Sequence, residues 1–196
     1  MEKKNFLRAA ALVCVTAAAF SLSACGMNKT ASSEKAVQNQ AEEQLSASST
    51  FKSDSLDFSG KDLDGKTVNA KDVFSKNKVT LVNVWSVSCP YCIDEMPDLA
   101  KLHTKLKDQN AGVLSIYDMS GYYSEEEEVK EAKDILSESK ADFPVIVAGS
   151  DFHQQINVNA YPLSFLVDQN GKIIGDPIYG AESMEDYQKV IDAHLK

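Results

Sequence analysis

Cys89 and Cys92 stand three positions apart in "VSCPYCIDEMP", residues 87 to 97, with Pro90 and Tyr91 between them. Two thiols at this spacing can share a metal ion, hold a haem, or pass a disulfide to and from a partner. Haem attachment needs a histidine directly after the second cysteine, and Ile93 occupies that place. Disulfide exchange asks for less: one thiolate to attack a sulfur and a second thiol to resolve the mixed disulfide. The other two of the four cysteines, Cys14 and Cys25, decide whether this pair works alone.

Cys14 lies in an apolar run, "AAALVCVTAAAF" over 9–20, behind Lys3, Lys4 and Arg8 with a single Glu2. The run is too short to span a bilayer comfortably and fits the core of a secretory signal peptide. It ends in "LSAC", residues 22–25, which resembles the lipobox of bacterial lipoproteins. That resemblance implies a signal peptide over 1–24 and a lipidated N-terminal Cys25; the alternative is a plain secreted protein. Either way Cys89 and Cys92 remain as the thiols of the folded part. A Cys89–Cys92 disulfide closes a very short loop and adds little stability through chain entropy. Reactivity is the better explanation for it. A structural zinc site takes four ligands, and the chain adds to the pair only the scattered His103, His153 and His194. These read as surface histidines, and neither metal nor other cofactor is expected.

Charge narrows the partners. The chain of 196 residues carries 20 Lys and Arg against 29 Asp and Glu, a net −9, with 43% hydrophobic residues. No basic cluster follows the first residues, which argues against nucleic acid. Residues 25–53 are rich in Ser, Ala, Gln and Glu and too poor in apolar residues for a core. They read as a flexible tether with a reach of roughly 30 Å. The folded domain is expected over 54–196, as a monomer.

The elements that must position the cysteines follow from pattern. "LDFSGKDLDGKTVNA" reads as a hairpin turning at Asp64 and Gly65, and "KDVFSKN" as a short helix or turn. "KVTLVNVWSV", 78–87, is a buried central strand. A helix starts at Cys89, with Pro90 suited to its first turn, and runs to about Gln109. Met96, Leu99, Leu102 and Leu106 keep helical period through Pro97, which should kink rather than end it. "AGVLSIYDM" is a strand. Ser124 and Glu127 form a capping box for a helix to about Lys140, and the glutamates 125–128 favour its positive end. "FPVIVA" is a strand and 151–157 a short helix. "LSFLVD" and "KIIGDPIYG" are strands joined by "QNG", and "SMEDYQKVIDAHL" closes as an amphipathic helix. This order describes an α/β fold around a mixed sheet.

A strand, a Cys-x-x-Cys at a helix start and a later strand beginning after a proline resemble the thioredoxin fold. Over roughly 56–196, "DFSGKDLDGKTV", "LVNVWSVSCPYCIDEMPDL" and "YPLSFLVDQNGKII" resemble the TlpA/ResA branch of thiol-disulfide oxidoreductases, within the AhpC/TSA group. The resemblance implies a thioredoxin-like fold with an added N-terminal β-hairpin and a mixed central sheet flanked by helices. It implies Cys89 as nucleophile, Cys92 as resolving thiol and Glu95 as acid/base. It also implies a cis bond before Pro162, which would free the Tyr161 backbone for an extended substrate. Tyr91, Tyr161 and Trp85 are expected near the substrate groove. Departures are visible: Ser88 precedes Cys89 where thioredoxin has tryptophan, Pro-Tyr replaces Gly-Pro, and Asn83 stands where thioredoxin has a buried aspartate. The branch implies protein thiol and disulfide substrates, a membrane thiol carrier of the CcdA/DsbD type, and a favoured reductive direction. The location implied is the outer face of a bacterial cytoplasmic membrane. A peroxiredoxin-like thiol peroxidase is the alternative enzyme; Ser86 suits its motif, but Val82 replaces the proline it needs. A non-enzymatic binding lipoprotein of the same fold is the third possibility.

Overall fold

The computed structural model describes residues 50–196; the expected signal peptide, Cys25 and most of the expected tether lie outside the described residues. An antiparallel hairpin comes first, β1 (Ser59–Lys61) and β2 (Thr67–Asn69). The carboxylate of Asp62 accepts the N–H groups of Asp64 and Lys66 across its turn, and Gly65 supplies the left-handed residue, with φ 79°. Next come α1 (Ala70–Phe74), β3 (Val79–Trp85), α2 (Pro90–Leu106) and β4 (Ala111–Tyr117). They are followed by α3 (Glu125–Glu138), β5 (Val145–Val147), α4 (Ser150–His153), β6 (Leu163–Asp168), β7 (Ile173–Tyr179) and α5 (Met184–Leu195).

The main sheet has the order β5-β4-β3-β6-β7. β4 runs parallel to β3 and β5, while β6 runs antiparallel to β3 and β7. Its centre is β3, buried at all seven positions, which explains why its sequence is nearly unbroken in apolar residues. With a period of two, Leu81 and Trp85 join one core with Leu99, Leu102, Tyr187 and Ile191 of α2 and α5. Val82 and Val84 join the other, with Phe58, Phe74 and Phe152. Asn83 falls by the same alternation on the side of Leu81 and Trp85.

α2 runs through Pro97 without ending, because Met96, Leu99, Leu102 and Leu106 keep their apolar face on the core. Its final turn tightens to a 3-10 segment over Lys107–Gln109 and stops at Asn110, φ 56°. The capping box of α3 is present on both sides, Ser124 to Glu127 and back.

Two details differ from the sequence-based expectation. Composition alone places residues 50–53 in the tether, yet Thr50 is buried and Phe51 bridges to Ile156. The Phe51 ring packs edge-on against Phe165 at 5.1 Å; one aromatic anchor outweighs its polar neighbours. His103 is not a surface residue either: its side chain is 12% exposed, and its Nδ1 accepts the N–H of Val113 at 3.1 Å. β5 covers β4 only from Ser115 onward, and the ring satisfies a backbone donor below that point. Burial holds this imidazole below the ordinary histidine value despite the pull of Asp142.

Candidate active site

The chain leaves β3 at Trp85 and turns into α2 through a tight corner in which the N–H of Cys89 donates to the carbonyl of Ser86 at 3.1 Å. Cys89 is the N-cap of α2 and Pro90 begins the helix. Proline suits that position because its missing N–H would have had no helical partner. The N–H of Cys92 points at the Cys89 sulfur, 3.2 Å away. The two sulfurs form a disulfide of 2.09 Å with Cα atoms 5.3 Å apart. Cys89 is 8% exposed and Cys92 wholly buried, so a partner's sulfur can reach only the first. On reduction, a Cys89 thiolate would sit against backbone N–H groups at the positive end of a 17-residue helix, which favours the anion.

One turn further along α2, Glu95 is 4% exposed. It is not a solvated surface carboxylate. Asn83 Nδ2 donates to its Oε1 at 2.8 Å, and its Oε2 accepts from the Tyr187 hydroxyl at 3.0 Å and the Glu182 N–H at 3.2 Å. Burial pushes the Glu95 carboxyl above the usual carboxylate range; these three donors pull it back only in part, and the Glu182 charge adds to the rise. Position 83 therefore cannot titrate, but its amide holds the side chain that can.

The opposite wall comes from β6. Its first residue, Leu163, pairs with Val84, so Pro162 stands at the same end of the sheet as the corner carrying Cys89. The Tyr161–Pro162 peptide is cis. Tyr161 is 38% exposed and Tyr91 is 70% exposed, so both can meet a docked polypeptide. The Tyr161 hydroxyl donates to Asp118 at 2.7 Å, and His153 Nε2 lies 3.3 Å from the other oxygen of that carboxylate. Burial and the Asp118 carboxylate push the Tyr161 phenol well up. Trp85 is misplaced in the sequence-based groove. It is wholly buried, donates from Nε1 to Ser115 Oγ at 2.7 Å and packs on Tyr117 at 5.1 Å. The strand period turns it into the α2-side core, so it supports the corner from beneath.

Three residues of this end escaped the sequence reading: Asp118, Ser164 and Tyr187. Ser164 is a polar position inside an apolar strand, which was a usable signal. Tyr187 looks in sequence like one more aromatic on an amphipathic helix, and Asp118 like a loop residue. A notch of about 320 Å³ beside the cysteine corner is lined by Val87, Tyr123, Glu127, Glu128 and Glu131. A larger cleft of about 730 Å³ lies between the hairpin and the start of α3, around Leu63, Met119 and Val147, with neither cysteine on its walls.

Comparison with known proteins gives the frame for this geometry. The chain is 27% identical over 136 residues to the thioredoxin-like protein YneN of Bacillus subtilis, covering 69% of this chain and 75% of that one. It is 28% identical over 128 residues to the thiol-disulfide oxidoreductase ResA of Bacillus cereus, covering 65% of this chain and 68% of the relative. A thioredoxin-family thiol:disulfide interchange protein from Chlorobium tepidum superposes with a TM-score of 0.60 at 21% identity, over 74% of this chain and 97% of that one; the shared fold is thioredoxin-like. The AhpC/TSA family model matches residues 52–175, a span that holds both cysteines, Glu95 and the cis-proline, and the chain belongs to the AhpC/TSA family.

Proposed function

We propose that Cys89 and Cys92 are the working pair of a lipid-anchored, extracytoplasmic enzyme that reduces disulfides in proteins. The chain is a thiol-disulfide oxidoreductase of the thioredoxin-like kind. One observation carries the assignment of residues: a disulfide at the first turn of α2 in which only Cys89 keeps some exposure, and a buried carboxyl one turn behind it. In the reductive direction the Cys89 thiolate attacks a substrate sulfur, forms the mixed disulfide and releases the other substrate sulfur as a thiolate that takes up a proton. The Cys92 thiol then loses its proton to the Glu95 carboxylate as its sulfur attacks Cys89. The Cys89–substrate bond breaks, the second substrate sulfur leaves and is protonated, and the enzyme holds the Cys89–Cys92 disulfide. Two electrons have passed to the substrate, and Glu95 returns its proton to solvent or to the departing thiolate.

The resemblance to the TlpA/ResA branch supports the reductive direction and a membrane thiol carrier of the CcdA/DsbD type as electron source. The lipobox-like "LSAC" supports anchoring through Cys25. Reduction of insulin coupled to dithiothreitol tests the core of the assignment. Cys89→Ser should abolish it, and Cys92→Ser should accumulate the mixed disulfide; activity intact in Cys89→Ser would overturn the assignment. The oxidation state of the pair in intact cells tests the direction, since a reductant must rest mainly as the dithiol. Loss of membrane association in Cys25→Ala tests the anchor.

A further inference from the structure

Glu95 does not sit in a loose set of polar contacts but in a closed ring. Asn83 on β3, Glu95 on α2, Ser164 on β6 and Tyr187 on α5 meet in the core, at 1%, 4%, 0% and 0% exposure. Asn83 and Ser164 face each other across the β3–β6 pairing. Asn83 Nδ2 lies 2.8 Å from Glu95 Oε1 and 2.9 Å from Ser164 Oγ. Ser164 Oγ lies 3.0 Å from the Tyr187 hydroxyl, which lies 3.0 Å from Glu95 Oε2. With Glu95 ionised, one proton arrangement satisfies every link. The two Asn83 N–H groups go to Glu95 and Ser164, Ser164 donates to Tyr187, and Tyr187 donates to Glu95.

The ring has a second solution. An amide presents two donors on one side and an acceptor on the other, and Asn83 Oδ1 is buried without a hydrogen-bond partner. If the amide turns over, Oδ1 takes the place of Nδ2. It then accepts from a protonated Glu95 and from Ser164, and Tyr187 donates to Ser164. The carboxyl's other oxygen keeps the Glu182 N–H. The amide end facing away from the ring is unpaired in either orientation: the Oδ1 acceptor in the first, the two N–H donors in the second.

We propose that Asn83, Ser164 and Tyr187 form a reversible hydrogen-bond ring that serves Glu95 in both protonation states, with Tyr187 as the positioning residue for the proton that Cys92 must give up and Ser164 as the link that closes the ring. The proposal rests on Glu95 as the acid/base of the exchange. A buried carboxyl that must take and return a proton needs partners for both forms, and a fixed set of donors would serve only the charged one. The charged and titratable groups facing Glu95 are the Tyr187 phenol and the Glu182 carboxylate, with Cys92 one turn away on the same helix.

The two hydroxyls have different signatures. Tyr187 donates to Glu95 only in the ionised arrangement, whereas Ser164 makes two bonds in each arrangement. Tyr187→Phe should therefore move the pH midpoint of insulin reduction upward, with rates roughly tenfold lower on the acid side of the midpoint. Ser164→Ala should leave that midpoint in place while lowering the urea midpoint of unfolding. In the Glu95→Gln background, the rate effect of Tyr187→Phe should vanish. An unmoved midpoint in Tyr187→Phe, or an equal shift in Ser164→Ala, would overturn the ring while leaving Glu95 as acid/base. A pH profile unchanged by Glu95→Gln would instead remove the assignment on which the ring rests. Should Tyr187→Phe fail to fold, Asn83→Asp decides. It places a second carboxyl against Glu95, and the profile must split into two steps; a single unshifted step would sink the proposal.

Discussion

Glu95 and Glu128 are two buried carboxylates on neighbouring helices, and they are held in opposite ways. Glu128 is 1% exposed. It accepts from the Tyr117 hydroxyl at 2.8 Å, the Ser120 N–H at 2.7 Å, the Ser120 hydroxyl at 2.6 Å and the Gly121 N–H at 2.8 Å. Burial alone would raise its pKa, but these donors together hold it below the usual carboxylate range. Glu95 has three donors at 2.8 to 3.2 Å and a second carboxylate nearby, and burial wins. Burial alone therefore does not decide what a carboxyl is for. The balance between lost water and supplied donors does. Glu128 is a fixed anion that pins the loop between β4 and α3 beside the cysteine corner, while Glu95 is left free to titrate.

The difference can be broken at its strong end first. Glu128→Ala strands several buried donors and should cost about 3 kcal/mol in urea unfolding; a loss under about 1 kcal/mol would put Glu128 among ordinary surface glutamates. Glu95→Gln should behave in reverse, with stability nearly kept and insulin reduction slowed on the order of a hundredfold. Full activity in that variant would erase the functional half of the contrast.

The pH dependence of stability sharpens the same contrast through opposite signs. Glu128 is depressed in the folded state, so its contribution is present above the unfolded carboxylate value of about 4.3 and lost as pH falls through its lower folded value. Glu95 is raised, so the folded state binds the extra proton, and stability falls as pH rises from that same value through its higher folded one. Urea melts from acid to neutral pH should show Glu128→Gln and Glu95→Gln removing slopes of opposite sign. The smallest effect belongs to His103. Its folded value is lowered, so stability should drop as pH falls through about 6.5, the unfolded histidine value, and His103→Gln should flatten that limb.

Much of this was legible in the chain itself. The cysteine spacing, Pro90 at the helix start, the apolar run of β3 and the capping box of α3 are local signals, and the elements they announce are present. Local signals also account for the misses. Trp85 lies four residues before Cys89 in sequence, which placed it in the groove; the strand's period of two buries it instead. Glu128 is one of four like glutamates in sequence, and only the loop folding back over α3 sets it apart. Phe51 looked like one apolar residue in a polar tether until Phe165, 114 positions away, gave it a partner.

The sequence by itself determined the reactive pair, its place at a helix N-terminus and the order of strands and helices around it, because these depend on spacing between near neighbours. Tertiary structure alone decided what surrounds the carboxyl that serves them. Asn83, Glu95, Ser164 and Tyr187 span more than a hundred residues and share no motif. They meet because β3 pairs with β6 while α2 and α5 pack on one face of that pair. A carboxyl's proton affinity depends on the water it loses and the donors it gains, and only the folded arrangement fixes both.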